Sequence, residues 1–134
     1  MRLLLSESEI KKRVKELADT ISKDYKDKSP IFIGILNGCY VFMADLLREL
    51  SISTEVDFVK IRSYEDDSST GTIKFRKDIS ADIDNRHIII VEDIIDSGFT
   101  INFLVNRLKE AGPKSVSVAS IPVSYTHLTL PTKA

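Results

Sequence analysis

The 134-residue chain is 43% hydrophobic and 29% charged, with a formal net charge of −1, the balance of one globular domain with its own core. That charge gives no basic footprint for nonspecific nucleic-acid binding, and no apolar run approaches the ~20 residues of a membrane-spanning helix. A single cysteine, Cys39, excludes an intrachain disulfide framework, and two histidines, His87 and His127, without metal-site partners argue against a His/Cys zinc site.

The opening Met1-Arg2-Leu3-Leu4-Leu5-Ser6-Glu7 turns acidic too soon for a signal peptide, so a cytoplasmic setting is expected. Ser6 and Glu9 have capping-box spacing, and Ile10, Val14, Leu17, Ala18 and Ile21 share one helical face, which predicts a helix from about Ser8 to Tyr25. Ser29-Pro30 breaks the chain before Ile31–Leu36, a buried-strand pattern. Asn37-Gly38 signals a turn, and Tyr40 to Leu50 reads as a helix packed on a sheet.

A second strand is expected from about Thr54 to Arg62. The polar stretch from Ser63 to Thr72 reads as a mobile loop. Ile73-Lys74-Phe75 suggests a short returning strand, and Asp78 to Arg86 a polar connection. The central strand runs from His87 to Val91. A helix from Phe99 to Ala111 turns Leu104, Val105, Leu108 and Ala111 to the core and stops at Gly112-Pro113. Ser115 to Ile121 is a further strand. This alternation predicts an α/β fold, a mostly parallel sheet flanked by helices with right-handed crossovers.

The most informative run is Ile88-Ile89-Ile90-Val91-Glu92-Asp93-Ile94-Ile95-Asp96-Ser97-Gly98-Phe99-Thr100. Four β-branched residues lead into two adjacent acids, then a third acid and a Ser-Gly-x-Thr turn that opens a helix. In open α/β sheets ligands bind past the carboxyl ends of the strands. The acids there can accept bonds from a pair of sugar hydroxyls, and the turn can hold a phosphate on backbone N–H groups.

This run resembles the phosphoribosyl-pyrophosphate (PRPP) binding motif of the type I phosphoribosyltransferases. Three further segments, Gly34 to Leu46, Val56 to Tyr64 and Ser69-Thr70-Gly71, follow in the order and spacing of the hypoxanthine-guanine members. The resemblance spans about Ile31 to Ile121. It implies a type I phosphoribosyltransferase (Rossmann-like) core lacking its last strands, with residues 1–122 the core and 123–134 a non-native tail. It implies purine salvage: transfer of 5-phosphoribosyl from PRPP to hypoxanthine or guanine, giving IMP or GMP and pyrophosphate. Two alternatives stay open. One is another base acceptor, xanthine or adenine; the other is a PRPP-sensing RNA-binding regulator on the same fold.

By the same resemblance Glu92 and Asp93 hold the ribose hydroxyls, partly through Mg²⁺, and Asp96 is the acid/base at purine N7. The plain structural readings are a solvated strand end for the first two and a helix N-cap for the third. Ser97, Gly98, Phe99 and Thr100 would bind the 5′-phosphate with Asp96 beside them. Leu36, Asn37 and Gly38 would line the pyrophosphate site, and Ser63 and Tyr64 would begin a lid. Phe99 stands where relatives often carry a polar residue, and Asn37 where some carry lysine. The partners implied are PRPP and a purine base, with no membrane and no nucleic acid, and a homo-oligomer for the complete protein. The family's base-reading lysine, its stacking aromatic and a later metal-binding aspartate find no match in Ser124 to Ala134. Slow or absent transfer by this chain is the corresponding expectation.

Overall fold

The computed structural model describes residues 7–36, 40–64, 72–94, 98–121 and 124–128. The elements are α1 (Glu7–Asp24), β1 (Ile31–Leu36), α2 (Tyr40–Glu49), β2 (Glu55–Tyr64), β3 (Thr72–Lys77), β4 (His87–Ile94), α3 (Gly98–Glu110), β5 (Ser115–Ile121) and β6 (Ser124–Leu128). They form a sheet in the order β3-β2-β1-β4-β5-β6. The central strands β2, β1, β4 and β5 run parallel, and β3 and β6 pair antiparallel at the two edges.

Strand alternation divides the core into two layers. Ile31, Ile33 and Ile35 of β1 and Ile88 and Ile90 of β4 face Leu104, Val105 and Leu108 of α3. Phe32, Ile89 and Val91 face the opposite side, against Val14, Leu17, Ala18 and Ile21 of α1 and Phe42, Met43 and Leu46 of α2. Because β1 and β4 are buried on both faces, they read as continuous apolar runs rather than alternating ones. Each fully buried Ile or Leu contributes about 1.5–3 kcal/mol over an exposed one.

The helix ends follow local chemistry. Gly112 takes φ 73° just past α3, and its N–H bonds the Lys109 carbonyl at 3.2 Å, a C-terminal stop that only glycine adopts without cost. Arg107 and Lys109 occupy the last turn of α3 and its first turn holds no acid, so the helix dipole is complemented at its carboxyl end and left open at its amino end.

Two expectations change. The connection from Asp78 to Arg86 is not merely polar: Ile83 is fully buried and Ile79 and Ala81 pack on the α3 layer. Residues 124–128 lie in the tail beyond the expected core, yet they pair along β5 from Ser120↔Ser124 to Val116↔Leu128. The outer edge of β5 presents unpaired N–H and C=O groups, and the β-forming residues Tyr125 and Thr126 satisfy them.

Candidate active site

The sheet reverses its winding between β1 and β4. From β1 the chain crosses through α2 to β2 on one side; from β4 it crosses through α3 to β5 on the other. Right-handed crossovers in opposite directions put α2 and α3 on opposite faces, as the two core layers show. A crevice opens at such a switch point, beyond the carboxyl ends of the strands. Leu36, the last residue of β1, and Glu92 and Asp93 near the end of β4 belong to the carboxyl ends of these two strands, which pair from Ile31↔Ile88 to Gly34↔Val91.

Glu92 lies on this edge with 8% of its surface exposed. By alternation it shares the α3 face with Ile88 and Ile90. A carboxylate so deeply placed requires hydrogen-bonding or ionic partners. The β4–β5 register pairs Glu92 with Ser120 and then shifts, so that Ile94 meets Ile121. Such an irregularity re-aims side chains at the end of a strand, and it falls at Asp93. Helix α3 begins at Gly98, so positions 98–100 supply first-turn N–H groups that have no intrahelical acceptor. Asn37, Gly38, Cys39, Asp96 and Ser97 lie outside the described residues, as do 65–71 of the expected lid.

Ser63 and Tyr64 are not loop residues, as the sequence suggested. They end β2 and pair with Ile73 and Thr72 of β3, since the returning strand satisfies their backbone groups. β1 leaves β2 at Leu36↔Lys60. The four residues Ile61–Tyr64 therefore continue as an arm with β3 alone, reaching about 13 Å past the edge of β1. The pairing steps from Lys60↔Lys77 to Ile61↔Phe75, so Arg76 is an extra residue bulged at the root of the arm.

The sequence reading missed what holds that root. Asp57 is only 8% exposed. Its carboxylate accepts the backbone N–H groups of Ser80 at 2.6 Å, Ala81 at 2.9 Å and Phe58 at 2.8 Å. The Lys77 ammonium donates to it at 3.2 Å and also to the carbonyls of Phe58 and Asp78 at 2.7 and 3.1 Å. Burial alone raises the Asp57 pKa, but the N–H groups of Ala81, Ser80 and Phe58, together with Lys77, outweigh it and hold the carboxyl below its ordinary value. A signal was present. Asp57 alternates with Val59 and Ile61, both in the α3-side layer, and an acid on a buried strand face requires partners. Just past β3, Asp78 accepts from Arg107 Nε of α3 at 2.9 Å.

His87 starts β4 at the opposite, amino edge of the sheet, bonded through Nδ1 to Ser115 Oγ at 2.6 Å. Burial, then the charges of Lys28 and Lys114, lower its pKa. It stands apart from the crevice.

Comparison with known proteins gives a consistent picture. The phosphoribosyl transferase domain family matches residues 4–123. The chain is 39% identical over 121 residues to a hypoxanthine-guanine phosphoribosyltransferase of Bacillus subtilis, covering 90% of this chain and 67% of that protein. It is 38% identical over 120 residues to a hypoxanthine-guanine-xanthine phosphoribosyltransferase of Tritrichomonas foetus, covering 90% of this chain and 66% of that one. It thus spans about two thirds of these relatives' length. Among solved structures, a hypoxanthine-guanine phosphoribosyltransferase from Bacillus anthracis superposes with a TM-score of 0.79 at 35% identity, covering 90% of this chain and 69% of that one. A hypoxanthine phosphoribosyltransferase from Staphylococcus aureus gives 0.81 at 32% identity, covering 89% and 65%. The chain therefore belongs to the phosphoribosyltransferase family and, within it, to the hypoxanthine-guanine phosphoribosyltransferases.

Proposed function

We propose that this chain serves purine salvage, moving the 5-phosphoribosyl group of PRPP to hypoxanthine or guanine to give IMP or GMP and pyrophosphate. The observation that carries the reading is the juxtaposition at the switch point. The buried Glu92 and its neighbour Asp93 lie near the carboxyl end of β4, the strand paired with β1, and α3 opens a few residues later with no acid in its first turn.

In this reading the residues divide the substrate between them. Glu92 and Asp93 accept the ribose 2′ and 3′ hydroxyls. Asp96, Ser97, Gly98, Phe99 and Thr100 wrap the 5′-phosphate, which rests on N–H groups at the positive end of the α3 dipole. Leu36, Asn37 and Gly38 line the pyrophosphate. Asp96 takes the proton at purine N7 as the base attacks the ribosyl carbon through N9. The glycosidic C–N bond forms as the bond to pyrophosphate breaks, with no covalent enzyme intermediate. Ser63 and Tyr64, at the end of the projecting arm, would help to exclude water as part of the lid.

The donor set suits Mg²⁺. Carboxylates beside a phosphate site are the ligands that cation prefers. Glu92 and Asp93 would hold the ion together with substrate oxygens and water. When bound it neutralises the leaving pyrophosphate.

The division at residue 122 belongs to the same proposal: the family match ends at residue 123, and 124–134 hold no counterpart of the base-reading lysine. No helix among the described residues is long and apolar enough to cross a membrane. A cytoplasmic setting and a homo-oligomeric complete protein complete the reading. The trichomonad relative's name adds xanthine to the acceptors to be tried.

The test supplies PRPP and Mg²⁺ with hypoxanthine, guanine, xanthine or adenine in turn and quantifies each nucleotide, with Asp96→Asn alongside. IMP and GMP should lead, at a low rate, and Asp96→Asn should lower turnover by about 10²–10⁴-fold while PRPP affinity holds. AMP as the leading product would overturn the acceptor. Unchanged turnover in Asp96→Asn would reduce Asp96 to a capping residue.

A further inference from the structure

Ile61 and Phe75 of the arm formed by β2 and β3 share a core layer with the helix α3, and both elements are tied to one short stretch of chain. Below the bulge at Arg76, Lys77 is bonded to Asp57 of β2 at 3.2 Å, and the next residue, Asp78, is bonded to Arg107 of α3 at 2.9 Å. Above the bulge, the ring of Phe75 meets that of Phe103 of α3, with centroids 4.9 Å apart and planes inclined at 42°. Phe103 and Arg107 are four residues apart and so lie on one face of the helix. A bulged two-stranded arm has no third strand to hold its direction. Its pose relative to α3 is therefore set by contacts on the two sides of the bulge.

We propose that Phe103 and Arg107 are positioning residues: through Phe75 and Asp78 they lock the arm and the first turns of α3 into one pose. Neither touches the reacting atoms. Their role for substrate rests on the reading of α3 as the phosphate-binding helix. The physical basis is a pair of contacts with unlike character. The ring pair is short-range and nonpolar. The Asp78–Arg107 pair is charge-assisted and half-exposed, and weak in isolation. It gains from its neighbour, because Lys77 is fixed by the Phe58 and Asp78 carbonyls and by Asp57, itself held by three N–H groups. Asp78 is thus presented to Arg107 from a rigid base. Glu110 also approaches Arg107 at 3.9 Å, but it belongs to α3 itself and cannot tie the helix to the arm.

The experiment measures amide hydrogen exchange in the 134-residue chain for wild type, Phe103→Leu, Phe103→Tyr, Asp78→Asn, Arg107→Gln and the Asp78→Asn/Arg107→Gln pair. Protection at 72–76 and 101–105 should fall roughly tenfold in Phe103→Leu, the scale of an aromatic pair. It should fall less in each polar variant. Amides of Ile88–Val91, in the centre of the sheet, should keep wild-type protection. Phe103→Tyr should restore it, and the double variant should be no worse than its components. PRPP with Mg²⁺ should then bind several-fold more weakly wherever protection falls. Unchanged exchange in the arm, or an equal loss at Ile88–Val91, would overturn the lock. Lost protection with full PRPP affinity would overturn its positioning role. A wild-type chain that binds no PRPP would refute the phosphate-site reading instead, and the exchange data would still decide the lock.

Discussion

Asp57 shows how one side chain reports the state of a region. Its pKa in the fold lies below the ordinary 3.8, so the folded state binds its proton less readily than the unfolded one. The carboxylate therefore adds stability at every pH above that ordinary value, and the contribution is lost as pH falls through the folded-state pKa. Asp57→Asn should destabilise the chain by about 1.5–3 kcal/mol at neutral pH, since the amide leaves buried N–H groups poorly matched. The difference from wild type should close in acid. Urea titrations from pH 7 to pH 3 read this directly; a difference independent of pH would show that the charge of Asp57 is not what counts. Glu92 and Asp57 are both acids on the α3 face of their strands, yet only Glu92 was singled out from sequence. The acids after Ile88–Val91 interrupt an apolar run and carry a resemblance, whereas Asp57 sits within an alternating strand. Apart from the adjacent Phe58 N–H, its partners come from 20 to 24 residues away, which no local pattern reveals.

At the scale of elements, periodicity was enough where packing is two-sided. β1 and β5 fall at Ile31–Leu36 and Ser115–Ile121, as their apolar and β-branched residues predict, because burial on both faces leaves no competing pattern. α3 is amphipathic with its stripe on Leu104, Val105 and Leu108, and its ends are set by the crevice and by Gly112. Leu104 is fully buried in the layer between α3 and the sheet, so Leu104→Ala should cost about 2–5 kcal/mol through lost transfer energy and a residual cavity. Chemical denaturation would measure it, and a loss under 1 kcal/mol would mean the α3 layer collapses around the gap. The sequence located β2 and β3 but missed their outer ends. Ser63 and Tyr64 look like loop because they are polar and precede an Asp/Ser/Gly-rich stretch. Their strand character comes from pairing with Thr72 and Ile73, and such nonlocal pairing overrides local composition.

For the molecule as a whole, chain order determined the placement of the candidate site. Alternating strands and helices require parallel crossovers, and the reversal between β1 and β4 puts a switch point at the carboxyl ends of these strands, where β4 runs on toward α3. The antiparallel partner β6 was not legible, since no motif in that segment gave a reason to expect pairing until the free edge of β5 is seen. The central claim is that PRPP is held at the β4–α3 turn. Calorimetric titration of PRPP with Mg²⁺ into the wild-type chain and into Gly98→Val tests it most directly. Saturable binding by wild type, weakened at least about tenfold in a Gly98→Val chain of native circular dichroism, is the result predicted, because a valine side chain would fill the space of a phosphate resting on that turn. Equal affinity in the two folded chains would contradict it.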